Sequence, residues 1–127
     1  MILAALLRAG KVVLQPFGDN QRYDLVIDAG DGKFLRVQCK TARILREGIL
    51  HFDTCSSQAH RGRGKQSYYG QADLFGVYSP DLDKVYLVPV DVCGKAAAQL
   101  RLAPRKQDSC RKEARMASDF ELHSTLA

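Results

Sequence analysis

The sequence predicts a single α/β domain built on a mixed sheet of about four to five strands flanked by helices. Three observations carry that class. An apolar segment from Ile2 to Ala9 is closed by Gly10 as a helix is closed, and two pairs of strand-forming runs are each joined by turn residues. The chain has 127 residues, enough for one hydrophobic core without staples.

In chain order, the helix is followed by a short strand from Lys11 to Leu14 and a break at Pro16-Phe17-Gly18. The first hairpin joins Tyr23-Asp24-Leu25-Val26-Ile27 to Phe34-Leu35-Arg36-Val37-Gln38-Cys39-Lys40 through Asp28 to Lys33. Side chains alternate along strands, so the length of the loop decides which residues face one another. A two-residue Asp31-Gly32 loop would set Leu25 opposite Gln38 and mix polar with apolar on both faces. A three-residue Gly30-Asp31-Gly32 loop sets Asp24 opposite Gln38. It gathers Tyr23, Leu25, Ile27, Leu35, Val37 and Cys39 on one face and Asp24, Val26, Arg36, Gln38 and Lys40 on the other. The hydrophobic pattern selects this second register.

A third strand is expected from Gly48 to Cys55, so that the sheet grows in chain order. Residues 56–71, with several glycines and little apolar periodicity, read as a long exposed loop. A second hairpin joins Asp73–Tyr78 to Lys84–Val90 around Ser79-Pro80-Asp81-Leu82-Asp83. Asp91 is placed to cap a helix running to about Leu100, with Ala96, Ala97 and Ala98 as strong helix formers. The domain is thus read as residues 1–102, with 103–127 a basic, partly ordered C-terminal extension carrying Arg105, Lys106, Arg111, Lys112 and Arg115.

Composition narrows the function classes. No apolar stretch approaches the roughly 18 residues that span a bilayer, so no membrane partner is expected. Met1 to Leu7 lacks the positive leading region of a signal peptide, and Arg8 interrupts it. Cys39, Cys55, Cys93 and Cys110 are scattered without a close pair, which indicates neither a zinc cluster nor a disulfide framework and implies reduced thiols in a cytoplasmic protein. A formal net charge of +5 favours an anionic partner, with nucleic acid in first place. His51, His60 and His123 lack metal-ligand spacing.

The polar face of the first hairpin carries the chemistry. Mg²⁺ accepts oxygen ligands, keeps several waters and needs few protein groups beside substrate phosphates. Asp24 offers a carboxylate oxygen and Gln38 an amide oxygen. The Lys40 ammonium can orient a water or offset charge growing on a phosphate. Asp28 and Asp31 read as turn acids, and Asp73 as a cap, an arginine partner or a catalytic acid. In the loop, Arg61, Arg63 and Lys65 can grip a phosphate backbone while Tyr68 and Tyr69 stack on bases or pack at a groove wall; the alternative is a solvated basic loop. Thr41 serves either as a phosphate contact or as a plain strand end.

The stretch Arg22-Tyr23-Asp24-Leu25-Val26, the run Gln38-Cys39-Lys40-Thr41, and the later segments Ala72–Tyr78 and Val85–Pro89 resemble the PD-(D/E)XK nuclease superfamily. More narrowly, they are similar to a small endonuclease group that includes a group I intron homing endonuclease with glutamine in the second motif position. The resemblance covers residues 2–92. It implies a restriction-endonuclease-like core and a DNA endonuclease dependent on Mg²⁺ or Mn²⁺, in which Asp24, Gln38 and Lys40 are catalytic and Asp24 and Gln38 hold the metal. Arg22 and Thr41, flanking the motif, join the loop residues as DNA contacts. It also implies a homo-oligomer, dimer or tetramer, as suits cutting both strands. Members of the superfamily commonly bring a glutamate from the first helix, and no acid precedes Asp19 here. Either a preceding turn carries that acid, or the chain is a catalytically incomplete DNA-binding module or a subunit of a DNA-processing assembly.

Overall fold

The computed structural model describes residues 1–17, 23–46, 48–57, 65–94, 96–102 and 115–123, with backbone alone at Arg46, 56–57 and 65–67. Helix α1 spans Ile2–Arg8. Its end is fixed by Gly10 at φ 78°, where the Gly10 N–H donates to the Leu7 carbonyl at 3.1 Å and the Lys11 N–H to the Leu6 carbonyl at 3.0 Å. Those two bonds are a glycine-dependent helix stop, as the sequence implied.

The strands follow as β1 (Val12–Leu14), β2 (Leu25–Gly30), β3 (Lys33–Thr41), β4 (Arg43–Arg46), β5 (Ile49–Asp53), β6 (Cys55–Ser57), β7 (Lys65–Ser67), β8 (Leu74–Ser79), β9 (Lys84–Pro89), β10 (Ala97–Arg101) and β11 (Arg115–Met116). A five-stranded mixed sheet has the order β1-β2-β3-β8-β9, with β3 and β8 parallel. A second sheet has the order β11-β10-β5-β4, and β6 pairs with β7 by itself. The expected α/β class and five-strand mixed sheet are borne out, with α1 the single α-helix among the described residues.

Two expectations are corrected. The segment after Asp91 is not a helix: Val90–Val92 form one 3₁₀ turn, and Ala97–Arg101 become β10. Helix propensity is a weak prior, and here Ala97 to Arg101 pair with Asp53 to Ile49 while Leu100 is buried in the core. Nor does the sheet grow in chain order. Strand β5 leaves for the second sheet and β8 takes the place beside β3, because Leu50 and Phe52 of β5 pack in one cluster with Phe75 and Val77 of β8.

The first hairpin reaches its predicted register by an unexpected route. Leu25 lies opposite Val37 and Val26 opposite Arg36, as the hydrophobic pattern required. Yet the turn is the two-residue Asp31-Gly32, at φ 53° and 76°, the positive-φ pair that matches strand twist. A bulge between Asp28 and Gly30 absorbs the extra residue and restores the register. There the Gly30 N–H donates to Asp28 Oδ1 at 2.9 Å, which fits the reading of Asp28 as a turn acid.

The main sheet has an apolar cluster on each face. Leu25, Ile27 and Val37 pack against Leu6, Ile2 and Leu3 of α1. On the other face Phe75, Val77, Tyr86 and Val88 meet Leu50, Phe52, Leu100 and Ala117. Gly76 lets α1 close on the sheet: a Cβ there would stand 3.0 Å from Val37 Cγ1 and 3.1 Å from Ile2 Cγ2.

Entry into β8 is pinned to β3 by Arg36 and Asp73. The guanidinium Nε and Nη2 donate to Asp73 Oδ2 at 3.1 Å and Oδ1 at 3.2 Å, and the Arg36 N–H donates to Oδ2 at 2.7 Å. Asp73 is therefore the arginine partner among its three sequence readings. The hydrogen bonds from Arg36 hold its carboxyl below the ordinary carboxylate range.

Two outcomes follow from these contacts. Gly76→Val should lower unfolding stability by about 1–3 kcal/mol in urea titration, because Val37 and Ile2 must both yield. Asp73→Ala should cost about 1 kcal/mol at neutral pH, at the modest end because the pair is 34–37% exposed and screened by water. A depressed carboxyl stabilises above its unfolded pKa and loses that contribution as pH falls through the lower folded value. The gap between variant and parent should thus narrow in unfolding curves taken below pH 4, that is, below about the ordinary Asp value.

Candidate active site

Strand β3 turns alternate residues to opposite faces, so Arg36, Gln38 and Lys40 share the face away from α1 while Val37, Cys39 and Thr41 share the face toward it. Asp24 stands one residue ahead of β2. Its N–H donates to the Val37 carbonyl at 2.8 Å, and its Oδ2 accepts the Cys39 N–H at 3.0 Å, so the two bonds bracket Gln38 along the strand. The local sequence explains this: Leu25 and Ile27 must go under α1, which leaves Asp24 at the open end of the strand, exposed.

Lys40 is held differently. Its Nζ donates to the Cys55 carbonyl at 3.0 Å and lies 4.8 Å from the centroid of the Tyr68 ring. Pairing of Cys55 with Ser67 in the β6–β7 ladder brings these two partners together. Nothing in the sequence signals this arrangement, because three-residue strands in a glycine-rich stretch carry no readable period.

The donor set suits a hard divalent cation. Asp24 supplies one carboxylate whose second oxygen takes no hydrogen bond from the described residues, and the Gln38 amide is likewise not engaged by them. That is the small number of protein oxygens Mg²⁺ needs beside a phosphate. Among the described residues no group of three or more His, Cys, Asp or Glu side chains could form a metal cage. The nearby Cys39 thiol is pushed up to about 11, first by burial and then by the Asp24 charge, so it stays protonated at neutral pH.

The remaining predicted residues are dispersed. Thr41 is exposed at the end of β3, on the face opposite Gln38 and Lys40. Tyr68 is only 5% exposed, turned inward where no base can stack on it. Tyr69 is 41% exposed, its hydroxyl donating to the Cys93 carbonyl, and lines a cleft of about 390 Å³ with Arg36, Gly70, Asp73 and Asp91. Arg22, Arg61 and Arg63 lie outside the described residues, and Lys65 is described by its backbone, opposite Ser57. No helix among the described residues is long and apolar enough to cross a membrane.

Comparison with known proteins agrees with the fold. Among solved structures, the chain is similar to a bacterial homing endonuclease, I-Ssp6803I, at 28% sequence identity and a TM-score of 0.59, over 94% of this chain and 77% of that one. No curated protein matches it. The sequence model of PD-(D/E)XK endonucleases matches residues 1–123, the stretch that includes the β2–β3 hairpin, the second sheet and the return through Arg115 to Leu122. With a match of that extent, the chain belongs to the PD-(D/E)XK endonuclease family.

Proposed function

We propose that this protein is a divalent-metal-dependent DNA endonuclease that hydrolyses phosphodiester bonds. The observation that carries the reading is the β2–β3 register, which sets Asp24 beside Gln38 with Lys40 two residues on, within the fold of a PD-(D/E)XK endonuclease. In this reading Asp24 and Gln38 hold Mg²⁺ or Mn²⁺, which when bound activates water and polarises the phosphoryl oxygen. Lys40 orients the attacking water and offsets charge growing on the phosphate. The water oxygen bonds to phosphorus, the bond from phosphorus to the leaving sugar oxygen breaks, and that oxygen takes up a proton.

DNA is the anion that fits a formal net charge of +5. Arg22, Thr41, Arg61, Arg63, Lys65 and Tyr69 are assigned to its backbone and bases. The sequence reads residues 103–127 as a basic extension, but Arg115–Met116 pair with β10 and Ala117 is buried in the core, so that part of the segment belongs to the domain. Two or four copies would supply the symmetry that double-strand cleavage uses. The described cysteines, Cys39, Cys55 and Cys93, are unpaired, which supports a cytoplasmic setting.

A second reading is favoured by one observation: the first turn of α1 carries no acid. It is a DNA-binding module, alone or in a DNA-processing assembly, that keeps the fold without cleavage. Cleavage of plasmid and branched DNA separates the two. The parent should nick or cut in Mg²⁺. Asp24→Ala and Lys40→Ala should each fall by at least about 100-fold with melting curves unchanged, since each removes charge placed at the reacting phosphate. Cleavage surviving both changes removes the mechanism, whereas binding without cleavage by the parent establishes the module.

The amide at position 38 gives a further expectation. Gln38→Glu adds a second carboxylate, so half-maximal cleavage should need severalfold less Mg²⁺ than in the parent. A Mg²⁺ titration of initial rates reads this directly.

A further inference from the structure

We propose that Tyr68 is a positioning residue for Lys40, its ring face fixing the ammonium where hydrolysis uses it; this rests on the role given to Lys40 above. A lysine carries a point charge on a flexible four-carbon stem, so its location must come from its surroundings. Here the surroundings are the Cys55 carbonyl at 3.0 Å and the Tyr68 ring at 4.8 Å, inside the range where a cation is drawn to an aromatic face.

Tyr68 is itself immobilised. Its ring meets Phe75 edge-on, with centroids 5.8 Å apart and planes at 90°, and Phe75 meets Phe52 at 5.8 Å and 68°. The seat is thereby tied into the main core. On the backbone side the Tyr68 carbonyl accepts the N–H groups of Gln71 and Ala72 at 2.9 and 3.1 Å. The turn they form runs through Gly70 at φ 78°, whose carbonyl accepts Arg36 Nη1 at 3.2 Å. Arg36 and Lys40 lie on one face of β3, so the strand that carries the lysine also anchors the turn that holds it. Burial that denies Tyr68 to a base is what lets it serve the lysine. The feature required is the ring's negative face, which phenylalanine shares and leucine lacks.

The test compares Tyr68→Leu, Tyr68→Phe and, as a core control in the other cluster under α1, Ile27→Val, each as the full chain cleaving plasmid in Mg²⁺. Tyr68→Leu should lose about tenfold in kcat with KM little changed, the size of one cation–aromatic contact. Tyr68→Phe should restore most of the rate, and Ile27→Val should lose thermal stability while keeping kcat. In protein labelled with ¹³C-lysine, the ε-methylene protons of Lys40, assigned by their disappearance in Lys40→Arg, should be shifted upfield by the ring. That shift should persist in Tyr68→Phe and vanish in Tyr68→Leu.

A Lys40 resonance without the ring shift, parental kcat in Tyr68→Leu, or an equal kcat loss in Ile27→Val each overturns the positioning role and leaves the nuclease reading standing. Lys40→Ala cleaving like the parent removes the catalytic role given to Lys40, and this role with it, whereas a parent that binds DNA without cleaving it overturns the nuclease reading itself.

Discussion

Strand β3 is the constraint on which the rest of the molecule depends. It pairs antiparallel with β2 on one edge and parallel with β8 on the other, and its two faces serve different ends. Val37 seals the cluster under α1, while Arg36 grips Asp73 and Lys40 reaches Cys55. A slip of one residue would exchange these sets, burying an amide and an ammonium and exposing the apolar run. Hydrophobic burial therefore keeps the polar residues together without any attraction among themselves. The pairing that gives α1 its floor also sets Asp24 beside Gln38.

The Arg36–Asp73 pair extends this control to the other side of the site. Its charge-assisted bonds, one of them to backbone, hold the start of β8 level with the middle of β3. The turn before β8 is then fixed relative to Lys40. A pair of this exposure adds little to stability, and its value lies in geometry. The same reasoning applies to the Asp31-Gly32 turn and the bulge beside it, which are remote from the chemistry yet together set the alignment of β2 with β3.

How far these features could be read from the residues varied with their physical range. The end of α1 at Gly10 and the hairpin around Asp81 were legible because glycine and turn chemistry act locally. The Leu25–Val37 register was legible because burying one face of a strand permits a single alignment. Its turn was misjudged, since a bulge at Ala29 and a three-residue loop shift the register equally and leave the same hydrophobic pattern. Ala97 and Ala98 became strand because pairing with β5 and burial of Leu100 outweigh alanine's helical preference. The departure of β5 to a second sheet depends on the distant Phe75, which no local pattern reveals. Asp24, Gln38 and Lys40 were identifiable as side chains, whereas the seat of Lys40 was not, because it is made by a backbone carbonyl and an inward-turned tyrosine.

The parallel pairing of β3 with β8 has a consequence for how the molecule assembles. Strands β2 and β3 meet through a tight turn, as do β8 and β9, so each hairpin can form from contacts near in sequence. Joining the hairpins requires the chain between Thr41 and Leu74, which includes β4 to β7, to be gathered into a crossover first. Closing such a long connection is entropically unfavourable and is the kind of event that slows folding. Asp24 and Gln38 thus meet through a connection short in sequence, whereas the contacts that hold Lys40, to Cys55 and Tyr68, depend on the long one.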